Sequence, residues 1–455
     1  MIIKAYSEGA CSEVTGSKHL LSVDDNLIQI DFGLFQGTES VLKNKSNNSV
    51  PENLKAVILT HGHADHCGKL PLLVKSGFKN KIYATSPTID IANIVLLDSA
   101  KIQQQEYKLL SKRKNVIVDS PLYTDQDCYN LQNYFETIPY REKVKLADNI
   151  YLKLYNAGHI LGSSMAQIEC GDKKILYTGD LGRKINPIIK TYDTIKVDSP
   201  DYIFMESTYG NREHKSLDSG LSQLVKSIEE TIFSGGKVLI PAFAVSRTQK
   251  ILYYIKMLQD EGKLNKYQIY VDSPMAISVT EVYRIHNSYY KNKELLQKNP
   301  FTFGNVKYVK TQKESNLISK SNEPCIIIAG NGMCDSGRIV HHLENNIEQS
   351  NNTVVLTGYM AENTIGRNLL EGEKIIKIKN KNYNVNANIT KIDSFSAHAD
   401  YKESINWLNS INCSKLKTIF LVHGEKNSQV FFKQELEKVG FKNIIIVEKN
   451  KKYEL

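Results

Sequence analysis

Three histidines and an aspartate fall within six residues at His61-Gly62-His63-Ala64-Asp65-His66. Imidazoles and a carboxylate packed this closely cost desolvation and positional entropy, and a divalent cation offsets both. Two histidines at i and i+2 on an irregular loop can ligate one ion, leaving Asp65 and His66 to face a second. Three more ligand-type residues stand beside glycines: His159 after Gly158, Asp180 between Gly179 and Gly182, and His423 before Gly424. Alone, each would more often be a turn or cap residue; together they make a set of seven. His61, His63 and His159 would supply three nitrogens to one site. Asp65, His66 and His423 would supply the other, and Asp180 could bridge. Nitrogen with some carboxylate oxygen suits Zn2+, two per chain, with Mn2+ or Fe2+ as secondary alternatives. Two cations about 3.5–4 Å apart form the clamp used for in-line attack at phosphorus. A hydroxide shared by both would be the nucleophile, because zinc lowers the pKa of bound water to about 7.

These residues need rigid elements to aim them. Short apolar or alternating runs predict strands at 27–32, 56–59, 81–84, 150–155, 174–177 and 202–205, most ending near Gly, Asp or His. Apolar residues spaced for one face predict a helix over 87–114. The middle changes character: 237–243, 268–273, 324–330 and 353–359 are β-branched runs, most followed by a helix-like stretch. Strands apolar throughout and separated by helices predict a parallel sheet covered on both faces. Short strands return at 373–378, 383–389 and 418–422, with a helix at 401–411. The expected organisation is therefore a first domain over 1–209 and 371–455, interrupted by a βαβ insertion over 210–370.

The 455 residues are too many for one small core, and the mix of 41% hydrophobic and 24% charged residues is that of an ordinary globular protein. No run is long and apolar enough for a membrane span, and the N-terminus lacks the pattern of a secretion signal. The seven cysteines form no C-x-x-C pair, which points to reduced thiols and a cytoplasmic location. A formal net charge of +9 suits a polyanionic partner, but a Lys-rich composition alone gives the same value.

The order Asp31, HxHxDH, His159, Asp180 resembles the metallo-β-lactamase superfamily. Met205-Glu206-Ser207-Thr208-Tyr209-Gly210, Phe395-Ser396-Ala397-His398-Ala399-Asp400 and Val422-His423-Gly424-Glu425 resemble the three signature motifs of the β-CASP nucleases. The likeness is nearest to the endonuclease subunit of the mRNA 3′-end cleavage and polyadenylation machinery and its bacterial and archaeal relatives. It implies an α/β fold: a four-layer αββα sandwich with an inserted parallel-sheet β-CASP domain, and an active site in the cleft between them. It implies one zinc held by His61, His63, His159 and Asp180, and another by Asp65, His66, Asp180 and His423. Asp31 would orient the ligand loop as an outer hydrogen-bond acceptor. His398 would be the general acid and Glu206 the carboxylate that pairs with it, with Asp65 and Asp180 completing the catalytic residues. A structural histidine in a turn is the alternative for His398.

Two strand-to-helix turns in the insertion, Ser246-Arg247 and the glycine-rich stretch around Gly332, are candidates to hold phosphate, and the Tyr359 ring could stack on a base or ribose. The function implied is zinc-dependent hydrolysis of RNA phosphodiester bonds, endo- or 5′-exonucleolytic, in RNA processing or decay. Single-stranded RNA is the expected partner and no membrane is; DNA as a second substrate and a homodimer stay open. Two rival readings remain: a small-molecule hydrolase such as a thioesterase or lactonase, and a non-catalytic scaffold. The large insertion argues against the first and the full ligand set against the second.

Overall fold

The computed structural model describes the chain apart from residues 38–39, 47, 112–119, 195–196, 293–298, 359 and 361–362. It divides into two compact units, one of Met1–Glu213 with His398–Leu455 and one of His214–Ala397. The first stretch of unit 1 carries β1 (Ile3–Ser7), β2 (His19–Val23), β3 (Asn26–Ile30), β4 (Leu54–Ile58), β5 (Lys81–Ala84), β6 (Phe135–Thr137), β7 (Lys143–Ala147), β8 (Ile150–Asn156), β9 (Ser164–Cys170), β10 (Lys173–Tyr177) and β11 (Tyr202–Glu206). Unit 2 carries β12 (Val238–Pro241), β13 (Ile269–Asp272), β14 (Val306–Tyr308), β15 (Ile326–Ala329), β16 (Thr353–Leu356), β17 (Ile375–Ile378), β18 (Lys381–Asn384) and β19 (Asn388–Lys391). The chain then returns to unit 1 through β20 (Thr418–Val422), β21 (Ile444–Ile446) and β22 (Tyr453–Glu454).

Unit 1 is built on two seven-stranded sheets, ordered β22-β1-β2-β3-β4-β5-β6 and β21-β20-β11-β10-β9-β8-β7. One core contains the facing apolar side chains of both, including Leu21, Ile28 and Ile58 from the first and Leu152, Ile168 and Phe204 from the second. Tyr177, Phe204 and Phe420 stack in a row across β10, β11 and β20, with successive ring centroids 4.5 Å apart. The other face of the second sheet buries Met165, Ile203 and Leu421 against Trp407 of the helix Tyr401–Ser410 and Phe432 of the helix Lys426–Lys438. On the first sheet's side, the helix Ser86–Leu110 lies against β6 and buries Ile91, Ala92 and Leu96. The layering is helix, sheet, sheet, helix, as expected.

Unit 2 holds a six-stranded parallel sheet, ordered β14-β13-β15-β12-β16-β19. Its strands β12, β15 and β16 are buried at every residue, which explains their unbroken apolar runs. Residues 371–397 fall in this unit, whereas the sequence suggested a return to the first domain at 371. The reason is strand pairing: β19 joins the parallel sheet beside β16, with Thr353 opposite Asn388. The single strand expected over 383–389 is in fact the end of the β17–β18 hairpin followed by the separate strand β19.

Candidate metal centre and catalytic residues

Strand order gathers the candidate ligands before any side chain is considered. Strands β10, β11 and β20 are parallel neighbours, with Tyr177 opposite Phe204 and Glu206 opposite Val422. Their C-terminal ends therefore place Asp180, Glu206 and His423 along one rim. Asp31 follows β3 and the His61–His66 loop follows β4, again parallel neighbours. His159 lies in the turn between β8 and β9. The loops cross so closely that side chains are excluded: a Cβ on Gly33 would come within 1.6 Å of the Asp65 carbonyl oxygen, and one on Gly182 within 2.0 Å of that of Gly158.

The seven ligand-type residues meet as two groups. In the first, His61 Nε2 lies 3.1 Å from His63 Nδ1, and His159 Nε2 lies 3.3 Å from the same atom. Asp180 Oδ2 is 3.4 Å from His61 Nε2 and 3.5 Å from His159 Nε2. In the second, His66 Nε2 is 3.1 Å from His423 Nε2 and 3.3 Å from Asp180 Oδ1, and Asp65 Oδ2 is 3.6 Å from His423 Nε2. The two oxygens of Asp180 thus face different groups. A tetrahedral cation with donors at about 2.1 Å separates those donors by about 3.4 Å. The observed edges match that spacing, and three nitrogens with a carboxylate are a zinc-type donor set, so the residues fit the ion.

The electrostatics agree. Burial, with the neighbouring His66 ring, lowers the pKa of His61; burial, with the His61 ring, holds His63 down to about 3. Burial and the His398 ring hold His159 well below the ordinary histidine range. These three rings are therefore neutral and can offer lone pairs. Burial alone would raise Asp180, but the His423, His66, His61 and His398 rings hold it well below the usual carboxylate range. In the second group burial opposes charging His66, but the Asp180 and Asp31 carboxylates outweigh it and raise that ring well above the ordinary histidine range, so the buried, ionised carboxylates favour positive charge there.

Outer hydrogen bonds fix which nitrogen His61, His66 and His423 present. Asp31 accepts from the Thr60 backbone N–H at 2.8 Å and from His66 Nδ1 at 2.6 Å. The Thr60 hydroxyl donates to Asp31 at 3.0 Å and accepts from His61 Nδ1 at 3.1 Å. The Thr208 hydroxyl donates to the His423 carbonyl oxygen at 3.1 Å and accepts from His423 Nδ1 at 3.0 Å. In this assignment His61, His66 and His423 all turn Nε2 inward. Sequence reasoning identified Asp31 but missed Thr60 and Thr208. Their only signal was adjacency: Thr60 precedes the histidine run, and Thr208 lies in the Glu206 motif.

His398 stands beside the first group. Its Nδ1 lies 3.0 and 3.2 Å from the Glu206 oxygens and 3.9 Å from Asp180 Oδ2, while the side chain stays 20% exposed. Burial opposes charging this ring, but Glu206 and Asp180 outweigh it and raise its pKa to about 9. Glu206 is itself pinned, accepting from the Leu181 N–H at 2.7 Å and the Thr208 N–H at 3.3 Å. A bridge between Gly182 and His398 and the Asp400 capping box of the helix Tyr401–Ser410 fix the loop.

In unit 2, Ser246 and Arg247 follow β12 at the start of the helix Arg247–Asp260, and both are buried. Ser246 has φ 70°, a conformation that costs a non-glycine residue and tends to occur at functional turns. Gly332 follows β15, and a Cβ there would meet the Phe243 ring at 2.8 Å. A Cβ on Gly358, after β16, would lie 3.2 Å from the Arg247 guanidinium. These turns thus occupy the C-terminal ends of three adjacent strands, the usual ligand edge of a parallel sheet. Tyr359 lies outside the described residues. All seven cysteines are free thiols, and no described helix is long and apolar enough to cross a membrane.

Three family models match the chain: a metallo-beta-lactamase superfamily domain over residues 20–204, a Beta-Casp domain over 248–369 and a Zn-dependent metallo-hydrolase RNA specificity domain over 382–447. The chain is 31% identical to Ribonuclease TTHA0252 of Thermus thermophilus over 92% of each chain. It is 32% identical to an RNase J-like protein of Methanocaldococcus jannaschii over 93% of each. It is also 30% identical to Transcription termination factor FttA of the same organism, over 93% of this chain and 67% of that one. A crystal structure of a protein of unknown function from Enterococcus faecalis shares the fold at 12% identity, with a TM-score of 0.56 and full coverage of both chains. Matched along nearly its whole length, the chain belongs to the β-CASP family of the metallo-β-lactamase superfamily.

Proposed function

We propose that the chain is a zinc-dependent ribonuclease that hydrolyses phosphodiester bonds of single-stranded RNA, acting in RNA processing or decay in the cytoplasm. The observation that carries this reading is the Asp180 carboxylate facing both donor groups, with the Glu206-paired His398 beside it. His61, His63, His159 and Asp180 would hold one Zn2+, and Asp65, His66, Asp180 and His423 the other. When bound, such a pair polarises phosphoryl oxygens and acidifies the attacking water.

The chain's own residues then manage the leaving group. An RNA 3′-oxygen departs badly as an alkoxide, and a proton from His398 Nε2 would remove that cost. Glu206, accepting from Nδ1–H, keeps the ring oriented and charged. Ser246, Arg247, Gly332 and Tyr359 are proposed to take the RNA backbone and a base or ribose. The relatives named ribonucleases favour RNA over a small-molecule ester.

The test uses RNA labelled at either end and a circular RNA of the same sequence, incubated with the zinc-loaded chain. Products with 5′-phosphate and 3′-hydroxyl ends are expected. Cutting of the circle marks endonuclease action, and loss from the 5′ end alone marks an exonuclease. No turnover of either RNA, with turnover of a thioester, would reject the reading in favour of a small-molecule hydrolase.

A further inference from the structure

Behind the ligands runs a line of buried polar groups that the mechanism above does not use. Ser7 on β1 and His19 on β2 are register partners, and His19 is in turn opposite Ile30 on β3, one residue before Asp31. The Ser7 hydroxyl lies 2.8 Å from His19 Nδ1, and the Ser17 hydroxyl 3.3 Å from His19 Nε2. The Ser17 hydroxyl donates to Asp31 Oδ2 at 3.1 Å, the same oxygen that meets His66 Nδ1 at 2.6 Å. Ser7, Ser17, His19, Asp31 and His66 are all buried.

Counting protons gives this line a direction. A hydroxyl has one hydrogen, and a neutral imidazole has one donor and one acceptor nitrogen. The Ser17 hydrogen goes to Asp31, so Ser17 must accept from His19 Nε2–H. His19 Nδ1 is then an acceptor and takes the Ser7 hydrogen. Burial keeps His19 neutral, with its pKa held down to about 4. Every hydrogen in the line points toward Asp31, and His66 closes it from the other side. The same segment is also tied to the ligand loop by its backbone: Ser17 N–H donates to the Asp65 carbonyl oxygen at 2.8 Å, and Gly33 N–H to that of Ser17 at 2.9 Å.

We propose that Ser17 and His19 are positioning residues for the second cation site. Their one-way hydrogen-bond relay fixes the Asp31 oxygen that orients His66, and so sets how tightly the Asp65, His66 and His423 group holds its ion. This rests on the two-cation reading. It differs from a general packing role in being biased toward one site: the relay ends on the oxygen that meets His66 directly, whereas His61 lies one hydroxyl further away, behind the Thr60 that donates to the same oxygen. Partners of ligating histidines typically contribute 10–100-fold to metal affinity. A group one bond further out should lie at the lower end, about tenfold.

The test is zinc competition with a chromogenic chelator on the full chain, comparing wild type with Ser17→Ala, Ser17→Thr, His19→Leu and His19→Gln. Cobalt(II) absorption provides a second readout. Wild type should bind two equivalents. S17A should weaken one equivalent about tenfold and H19L, one bond further out, several-fold; both should leave the other equivalent nearly unchanged and alter part of the cobalt spectrum. S17T and H19Q, which keep a donor toward the chain's next acceptor, should restore wild-type affinity. Two full-affinity equivalents in folded S17A and H19L would overturn the relay. So would equal weakening of both equivalents with no rescue by S17T or H19Q, because that marks a purely structural role. A wild type that binds fewer than two equivalents would instead bring down the two-cation reading, and the relay with it.

Discussion

The ligand cluster of unit 1 and the strand-end turns of unit 2 use opposite means to hold their residues. In the cluster, side-chain hydrogen bonds do most of the positioning: Asp31 alone receives the Thr60 hydroxyl, the Ser17 hydroxyl and the His66 ring. In the turns the backbone does the positioning, with Ser246 at φ 70° and Gly332 pressed against Phe243. A metal site needs donor atoms placed to a few tenths of an ångström, and only a network of directional bonds achieves that. A polyanion is held by charge and backbone N–H groups, which tolerate more slack. Changes in the cluster should therefore abolish chemistry, and changes in the turns should weaken binding.

The sharpest expected contrast is Asp180→Asn. It keeps the shape but removes the charge that faces both donor groups. Turnover of single-stranded RNA should fall about 10⁴-fold, the scale seen when one member of a unit acting together is lost. Bound zinc should fall as well, read by metal analysis; two retained ions would contradict the bridging role. Next is His398→Ala, which should cost about 10²–10⁴-fold in kcat while both zinc ions stay bound. An RNA with a sulfur in place of the 3′ leaving oxygen needs no proton on departure, so the variant should recover most of its loss on that substrate. An equal deficit on both substrates would refute the general acid.

Removing metal separates the two regions without a mutation. At a free zinc concentration 100 times its dissociation constant, an ion binding only the folded state contributes about 2.7 kcal/mol. Chelation should lower hydrogen-exchange protection at residues 61–67, 158–164 and 178–182 and leave β12, β15 and β16 unchanged. Equal loss in both units would erase the contrast. The smallest effect belongs to Arg247→Ala, where losing one charge-assisted hydrogen bond should raise KM for RNA roughly tenfold with kcat nearly unchanged. A fall in kcat with KM unchanged would move Arg247 into the chemistry.

Much of this was legible in the sequence. His61, His63, Asp65, His66, His159, Asp180 and His423 stand out because ligand types beside glycine at strand ends are rare in combination. Parallel pairing of β10, β11 and β20 then brings the distant ones together. The buried strands β12, β15 and β16 were legible for the same reason that they are buried: unbroken apolar runs. Strand β19 was not, because its exposed and half-buried residues look like a hairpin, and only the distant partner β16 assigns it to unit 2. Thr60, Thr208, Ser17 and His19 also escaped notice. Serine, threonine and single histidines are common, and the partners that single these out are distant in sequence: Asp31 for Thr60 and Ser17, His423 for Thr208 and Ser7 for His19.

The central claim is best tested by titrating the metal-free chain with zinc while following cleavage of a single-stranded RNA. Two equivalents should bind, with hydrolysis appearing only as the second site fills, and D180N should remain silent throughout. Full cleavage in excess chelator, or saturation of activity at one equivalent, would contradict it.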